Sequence, residues 1–395
     1  MAQHIAVLRG WHPALAIAEL AALLPSHFGA SSGAEANDNP MASESNRLAI
    51  LEGPLNPSEA FETLSVSSGC QAILLDGFIH NWQDDQSILL KKIENYLQKN
   101  QRDGKMAVVP LRIEGKIAQF SPSKIAGKIG AIMSDMGCQI DLSNPQHRFS
   151  ITVDGASSQI ACGWMVGDDM GLDGVATRKA TQRPFFKPVS LSPRLALLAV
   201  NLATGPIGQG PVIDPMAGTG GFIMEAAATD RQALGIDLSS EMVEGANQNL
   251  NWLLEQQKIT DSSAQIVRGD ATNIEASIDK SWVGKVQGFV FDPPYGRNSQ
   301  GSLNHDELLT KTLSSAHRVA SSDANLVLIV PINSMPAQIN SSLTDNSQVE
   351  LLHGSWDSLQ QLMKLSGWVI KNRWVEHVHG SLNRLVIHSE YVPLD

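Results

Sequence analysis

An apolar run from Val286 to Phe291 breaks into Asp292-Pro293-Pro294-Tyr295-Gly296, and those residue types in that order suit the presentation of a planar amino group to an electrophile. The lone pair of an amino group on a nucleobase or amide is delocalised and must be localised before it can attack. Asp292 can accept one N–H and the carbonyl of Pro293 the other, which favours a pyramidal nitrogen with its lone pair free. Consecutive prolines fix φ and donate no competing hydrogen bond, so that carbonyl is held rigidly outward. Tyr295 can stack on a planar base, and Gly296 leaves room beside it. The motif leaves open whether Asp292 orients the amine or fully deprotonates it, and it is silent about whose amine is presented.

Three more strand candidates end in acids. PVID runs into Asp214-Pro-Met216-Ala-Gly218-Thr-Gly220-Gly221 and then the helical stretch FIMEAAA. Glycines there let a ligand lie against the backbone, and a helix N-terminus offers free amides. A dinucleotide fingerprint would need its third glycine at Ile223, which weighs against NAD or FAD. The next candidate, QALGID, ends in Asp237-Leu238, 23 residues after Asp214, where a carboxylate can accept both hydroxyls of a ribose. The third, AQIVRGD, brings Asp270-Ala271 to the same edge, where the acid could accept a proton from an adenine amino group.

These acids need a scaffold that delivers successive strand ends to one crevice. From Pro188 onward PVIDPM, QALGIDL, AQIVRGD, VQGFVFDPP and NLVLIVPI alternate with helix-length segments, the pattern of a doubly wound parallel sheet in an α/β protein. WVIKNRWVEHVHG and LNRLVIHSEYV then read as a closing antiparallel hairpin. Upstream, HIAVLRG predicts a strand and the apolar residues between Pro13 and Pro25 a helix. RLAILEG, QAILLDGF and MAVVPLRIEG predict further strands, with a helix ending near Gln98. Ser123 is expected to open a helix whose Ile125, Ile129, Ile132, Met133 and Met136 face inward while Lys124 and Lys128 share another face. RFSITVDG and SQIACGWMVG have the alternation of a half-buried antiparallel pair. The stretch 28–46, rich in Ser, Ala, Gly and Asn, predicts an exposed, flexible insertion.

The chain of 395 residues is long enough for two or three modules, and its 43% apolar and 17% charged residues are those of a globular protein. Three scattered cysteines, Cys70, Cys138 and Cys162, show no zinc or disulfide spacing, so no metal is expected. His377 and His379 alternate on a strand but have no visible partners, and Trp282 and Trp374 read as core or interface residues. Glu19 interrupts the apolar N-terminal helix, which argues against a signal peptide and for a cytoplasmic protein without membrane association. The net charge of −11 excludes a protein that coats nucleic acid non-specifically. A local basic surface is still available: Arg178, Lys179, Arg183 and Lys187 follow one another with no acid between Gly174 and Lys187.

DPMAGTGGF, GIDLS, GDAT and FDPPYG, in that order and spacing, resemble the motifs of Rossmann-fold S-adenosylmethionine-dependent methyltransferases. The resemblance implies a seven-stranded methyltransferase sheet, with Gly218 and Gly220 flanking the methionine end, Asp237 at the ribose, Asp270 at the adenine, Asp214, Met216, Leu238 and Ala271 as further cofactor-binding residues, and Asp292 to Tyr295 as catalytic residues. RPFFKPVSLSPRLALLAVNLA resembles the segment before that fold in tRNA guanine-N2 methyltransferases, and SPSKIAGKIG with IDLSNPQHRFSITV resembles a THUMP RNA-binding domain. Together they resemble the archaeal enzymes that methylate N2 of guanosine at position 10 of tRNA. The implied layout is a ferredoxin-like segment at 1–95, THUMP at 96–168, a linker at 169–187 and the methyltransferase domain at 188–395. It implies tRNA as partner, gripped by Lys124, Lys128, Arg148, Arg178, Lys179, Arg183 and Lys187. Reversing Arg183 and Lys187 to Glu is then expected to weaken tRNA binding without touching the cofactor. A monomer is expected; the need for a small activating subunit stays open. Ribosomal RNA guanine, adenine N6 and a non-catalytic RNA-binding role are the alternatives.

Overall fold

A computed structural model describes residues 3–28, 45–167, 175, 177–187, 190–294, 304–333, 335, 340–343, 349–379 and 382–394. They fall into two compact units, Met1–Ile17, Pro25–Leu64 and Gly69–Met170 in one, and Ala18–Leu24, Ser65–Ser68 and Gly171–Asp395 in the other. Most of the 28–46 stretch lies outside the described residues, but its flanks Phe28 and Ser45 are buried.

The first unit is built on one sheet. Its strands are β1 (Gln3–Leu8), β2 (Leu48–Glu52), β3 (Cys70–Asn81), β4 (Lys105–Arg112), β5 (Gln139–Ile140), β6 (His147–Asp154) and β7 (Gln159–Gly167), in the order β2-β1-β3-β7-β6-β4-β5. β3 pairs with β7 from Ala72↔Gly167 to Asn81↔Gln159, so strands from both expected N-terminal segments share the sheet. β6 and β7 pair antiparallel as anticipated, yet they are buried on both faces rather than half-buried. Ser150 and Thr152 occupy the second face of β6 and satisfy each other at 2.8 Å. The helices are α1 (Pro13–Leu23), whose residues from Ala18 on belong to the second unit, α2 (Pro57–Val66), whose last two residues do too, α3 (Gln86–Lys99) and α4 (Pro122–Asp135); α2 had no counterpart in the sequence expectations. Helix α4 starts earlier than expected: Ser121, not Ser123, is the N-cap, and Pro122 takes the first turn, where its missing N–H costs nothing. Ile125, Ile129 and Met133 are buried as their spacing requires, whereas Lys124 and Lys128 are exposed.

The second unit carries α5 (Pro193–Thr204), β8 (Val212–Asp214), α6 (Gly221–Ala228), β9 (Ala233–Asp237), α7 (Ser240–Gln257), β10 (Ala264–Arg268), β11 (Val286–Phe291), α8 (His305–Val319), β12 (Ala320–Asn333), β13 (Ser341–Ser342), α9 (Trp356–Leu365), β14 (Trp368–His379) and β15 (Leu382–Tyr391). Its sheet runs β10-β9-β8-β11-β12-β15-β14-β13. The seven expected strands are all present, and the two-residue β13 adds an eighth at the edge beside β14. β10 through β12 are parallel and the β14–β15 hairpin is antiparallel. Strand order reverses between β8 and β11, and open α/β sheets bind ligands outside the carboxyl ends of the strands at such a switch point. Phe289 and Trp368 meet edge to face at 5.6 Å in the core, and Trp374 is buried. Glu19, which breaks the apolar run of α1, is fully buried here and satisfied: it accepts from Ser67 Oγ at 2.6 Å, Ser68 N at 2.9 Å and Asn201 Nδ2 at 2.7 Å.

Candidate active site

Strand register places the acids. Asp214 lies level with Gly235 of β9, and Ile213 level with Phe289 of β11, so Asp237 and Asp292 each stand two residues beyond Asp214 on the flanking strands. Arg268 lies level with Asp237, which puts Asp270 two residues further out. The four carboxylates expected from the sequence therefore rim one crevice at the switch point.

Their environments differ. Asp214 is buried and accepts a hydrogen bond from Met216 N at 3.0 Å. Burial holds its carboxyl well above the usual carboxylate range, and the negative charges of Asp237 and Asp292 push the same way. Asp237 is half-buried and fastens the glycine loop: Oδ2 accepts from Gly218 N at 2.8 Å and Oδ1 from Ser239 N at 2.9 Å. A carboxylate has about four lone-pair sites, so each oxygen keeps capacity for a ligand hydroxyl. Exposed Asp270 caps the following turn through Oδ1, which accepts from Thr272 N and Oγ1 at 2.8 Å, and its Oδ2 has no partner among the described residues. Leu238, between these acids in sequence, is 53% exposed and offers an apolar surface beside them. Ala271 is buried beneath. Asp292 is half-buried, Pro293 buried and Pro294 exposed, while Tyr295 lies outside the described residues.

The glycine loop is shaped by backbone geometry. Gly220 caps α6 with φ 81°, and a Cβ there would come within 3.0 Å of Ile266 Cδ1. Against this loop lie residues 183–187 and Ser190, the former tied down by Asn249 of α7. Asn249 accepts from Phe185 N at 2.9 Å and donates to Phe185 O at 2.8 Å and Thr219 O at 3.0 Å, and Ser190 Oγ meets Thr219 Oγ1 at 3.2 Å. Phe185 packs against Gly245, where any side chain would collide with its ring. The linker is thus part of the site, which charge alone did not reveal.

That packing corrects the expected RNA surface. Arg178 is only 6% exposed and clamps the fully buried Glu225, with Nε 3.1 Å from both carboxylate oxygens and Nη2 2.6 Å from Oε2. Burial raises the Glu225 carboxyl above its ordinary value and Arg178 opposes the rise. Arg183 is 5% exposed, with Nε donating to Arg178 O at 3.0 Å. Neither arginine presents a surface to RNA, because an acid 47 residues downstream draws Arg178 inward and Arg183 follows. Reversing Arg183 would also disturb the glycine loop, so the expected separation of tRNA from cofactor effects does not hold there. Lys187 is partly exposed and donates to Glu241 Oε1 at 2.7 Å, Lys179 is exposed, and Arg148 is half-buried. In the first unit Lys124 is exposed, and Lys128 donates to Gln86 Oε1 at 2.8 Å.

Comparison with known proteins agrees with this geometry. Residues 180–361 match the RMKL-like methyltransferase domain family. A tRNA (guanine(10)-N2)-dimethyltransferase of Pyrococcus abyssi is 28% identical over 257 residues, 65% of this chain and 65% of that one. Its counterpart in Methanothermobacter thermautotrophicus is 37% identical over 137 residues, 34% of this chain and 37% of that one. A protein of Methanothermococcus thermolithotrophicus, named as a probable tRNA (guanine(10)-N2)-dimethyltransferase, is 32% identical over 116 residues, which span 29% of this chain and 68% of that relative. The chain belongs to this methyltransferase family. It spans less than two thirds of the length of the Pyrococcus and Methanothermobacter members. Among solved structures, TrmN from Thermus thermophilus superposes with a TM-score of 0.47 at 17% identity, covering 99% of this chain and 100% of that one. The family-matched region begins at Ala180, so it includes Arg183 and the covering stretch.

Proposed function

We propose that the chain transfers methyl groups from S-adenosylmethionine to the exocyclic N2 of a guanosine in tRNA, at position 10 as in the family members' names, giving N2-methylguanosine and, by a second transfer, N2,N2-dimethylguanosine. The observation that carries this reading is the convergence of Asp214, Asp237, Asp270 and Asp292 on one switch-point crevice. The site fits the cofactor on its own evidence: a loop whose Gly218 and Gly220 take positive φ, with no room for a side chain at Gly220, an unengaged Asp270 oxygen, and the apolar surface of exposed Leu238. Asp237 would take the ribose hydroxyls, and Asp270 with Leu238 and Ala271 the adenine, leaving the methionine end to Met216, Gly218 and Gly220. Bound there, S-adenosylmethionine supplies an electrophilic methyl on a positively charged sulfur, which a crevice of carboxylates favours.

At the reacting end, Asp292 accepts one N–H of the guanine amine and Pro293 O the other, holding the lone pair along the transfer direction. As the nitrogen gains positive charge, Asp292 stabilises it and can take the released proton. Tyr295 stacks on the base. Residues 96–168 act as the THUMP module, and Lys124, Lys128 and Arg148 meet the tRNA backbone.

The test is incubation with an unmodified tRNA transcript and labelled S-adenosylmethionine, followed by nucleoside mass spectrometry. Label in N2-methylguanosine is expected. Label only in N6-methyladenosine, or none, would overturn the substrate. Asp292→Ala should lower kcat by at least 100-fold while cofactor affinity stays within about 3-fold, as expected for a group that acts on the transition state.

A further inference from the structure

Three of the buried arginines of the second unit differ in how their guanidinium groups are satisfied. Arg178 is paired bidentately with Glu225. Arg231 donates from Nε to Thr204 Oγ1 at 3.0 Å, from Nη1 to Thr229 Oγ1 at 2.6 Å and from Nη2 to Gly205 O at 3.1 Å. Arg183, 5% exposed, uses only Nε, and Nη1 and Nη2 are buried without a hydrogen-bond partner among the described residues. A buried charged donor without a partner is costly.

The position of that unsatisfied end points to its partner. Nη1 lies 3.7 Å from where a Cβ on Gly221 would sit, and Gly221 is the first residue of helix α6, directly after the glycine loop. The first turn of α6 contains no acidic residue, and its N-cap Gly220 supplies no side-chain acceptor. The helix N-terminus and the guanidinium therefore set two positive poles close together, an arrangement that favours an anion between them. Glu225 acts on Arg183 through its charge, but its hydrogen bonds go to Arg178, and Nη1 and Nη2 of Arg183 have none to it. Asn249 holds the backbone of Phe185 to Thr219 O, so Arg183 is carried to the loop by a stretch fixed on both sides.

We propose that Arg183 holds the α-carboxylate of the methionine moiety of the cofactor, together with the amides at the start of α6. This rests on the cofactor reading above, under which the glycine loop receives the methionine end, and that carboxylate is the only anionic group the ligand has. Arg183 is then a cofactor-specificity residue rather than an RNA contact, distinguishing ligands with the amino-acid carboxylate from those without it.

The experiment is calorimetric titration of wild type and Arg183→Met with S-adenosylhomocysteine, its decarboxylated analogue and 5′-methylthioadenosine. A charge-assisted hydrogen bond in a buried site predicts that wild type prefers S-adenosylhomocysteine over the decarboxylated analogue by about 10- to 100-fold. Arg183→Met should lose that preference while binding 5′-methylthioadenosine within about 2-fold of wild type, and Arg183→Lys should recover part of it. The proposal is overturned if Arg183→Met keeps the preference, or if it weakens 5′-methylthioadenosine equally, which would mark a structural role. Should Arg183→Met fail to fold, the wild-type comparison still decides, because equal affinity with and without the carboxylate sinks the proposal. A wild type that binds none of the three ligands overturns the cofactor reading as well. One that binds and methylates, while its Arg183→Met variant still discriminates, overturns only the role of Arg183.

Discussion

Helix Pro122–Asp135 and the stretch from Arg178 to Lys187 carry most of the lysine and arginine that charge alone assigns to RNA, and the fold uses them in opposite ways. On the helix, Ile125, Ile129 and Met133 go inward and Lys124 and Lys128 stay in solvent. In the other stretch the arginines go inward and the lysines stay near the surface. Lysine at helical spacing is bound to the face its apolar neighbours leave over, so its exposure follows from local pattern. An irregular stretch has no such face. There, guanidinium groups follow whichever carboxylate or carbonyl the tertiary fold supplies, and Arg tolerates burial because its planar fork can be satisfied bidentately.

The largest expected effect tests whether the inward arginines are structural. Arg178→Met leaves Glu225 buried and unpaired and should cost about 3–5 kcal/mol of unfolding free energy. Arg178→Met combined with Glu225→Leu should recover most of that loss, since no uncompensated charge remains. Denaturant titration of the three variants measures both numbers. A single-variant loss below about 1 kcal/mol would mean that the pair is solvated and that the two basic regions are not different after all.

A smaller effect extends the contrast between buried and exposed charge to the acids. The Asp214 carboxyl is held above its ordinary value by burial and by Asp237 and Asp292, whereas Asp270 is exposed. A carboxyl whose folded pKa is raised loses stability as pH climbs from its unfolded value, about 4, through the folded one. Asp214→Asn keeps the acceptor for Met216 N and removes the charge. It should therefore stabilise the protein by on the order of 1 kcal/mol at pH 7, with the gain fading as pH falls toward about 4. Asp270→Asn, which can still cap its turn, should change stability by less than about 0.5 kcal/mol. Melting temperatures across pH decide this, and a gain for Asp214→Asn that grows toward low pH would reverse the assignment.

The acids at the sheet edge were legible because parallel strands in a doubly wound fold all deliver their carboxyl ends to one side, so Asp214, Asp237, Asp270 and Asp292 needed only strand boundaries to be brought together. Helix Pro122–Asp135 was legible from its period, apart from the cap at Ser121. What sequence did not carry was pairing at a distance. Glu225 sits on an apolar helix where nothing local marks it as the partner of Arg178, and Asn249 looks like any polar residue of an amphipathic helix until Phe185 and Thr219 are placed on either side. Helix Pro57–Val66 was missed because five of its ten residues, Ser58, Glu59, Glu62, Thr63 and Ser65, are polar ones that suit a loop equally well. Arg183 was misassigned for the same reason as Arg178: a positive charge was read without the surroundings that decide whether it faces water, protein or ligand.

The smallest effect on stability falls on the exposed side of the comparison, and there the consequence belongs to binding. The first turn of helix Pro122–Asp135 contains no acid, so Lys124 adds to the positive end of the helix dipole, and Lys128 lies one turn further along. Lys128 gives up only a hydrogen bond to Gln86 at the surface. Lys124→Glu with Lys128→Glu should thus shift unfolding free energy by less than about 0.5 kcal/mol. If the two ammonium groups each neutralise a tRNA phosphate, the slope of log affinity against log salt should flatten by roughly 1.4 to 1.8, the range for two contacts on single-stranded to duplex nucleic acid. Affinity for S-adenosylhomocysteine should not move, because every proposed cofactor residue belongs to the other compact unit. Arg183→Met should show the reverse, a cofactor defect with the salt slope of tRNA binding intact. An unchanged slope in the double lysine variant would remove this helix from the RNA surface and leave Arg148, Lys179 and Lys187 of the basic residues assigned to it.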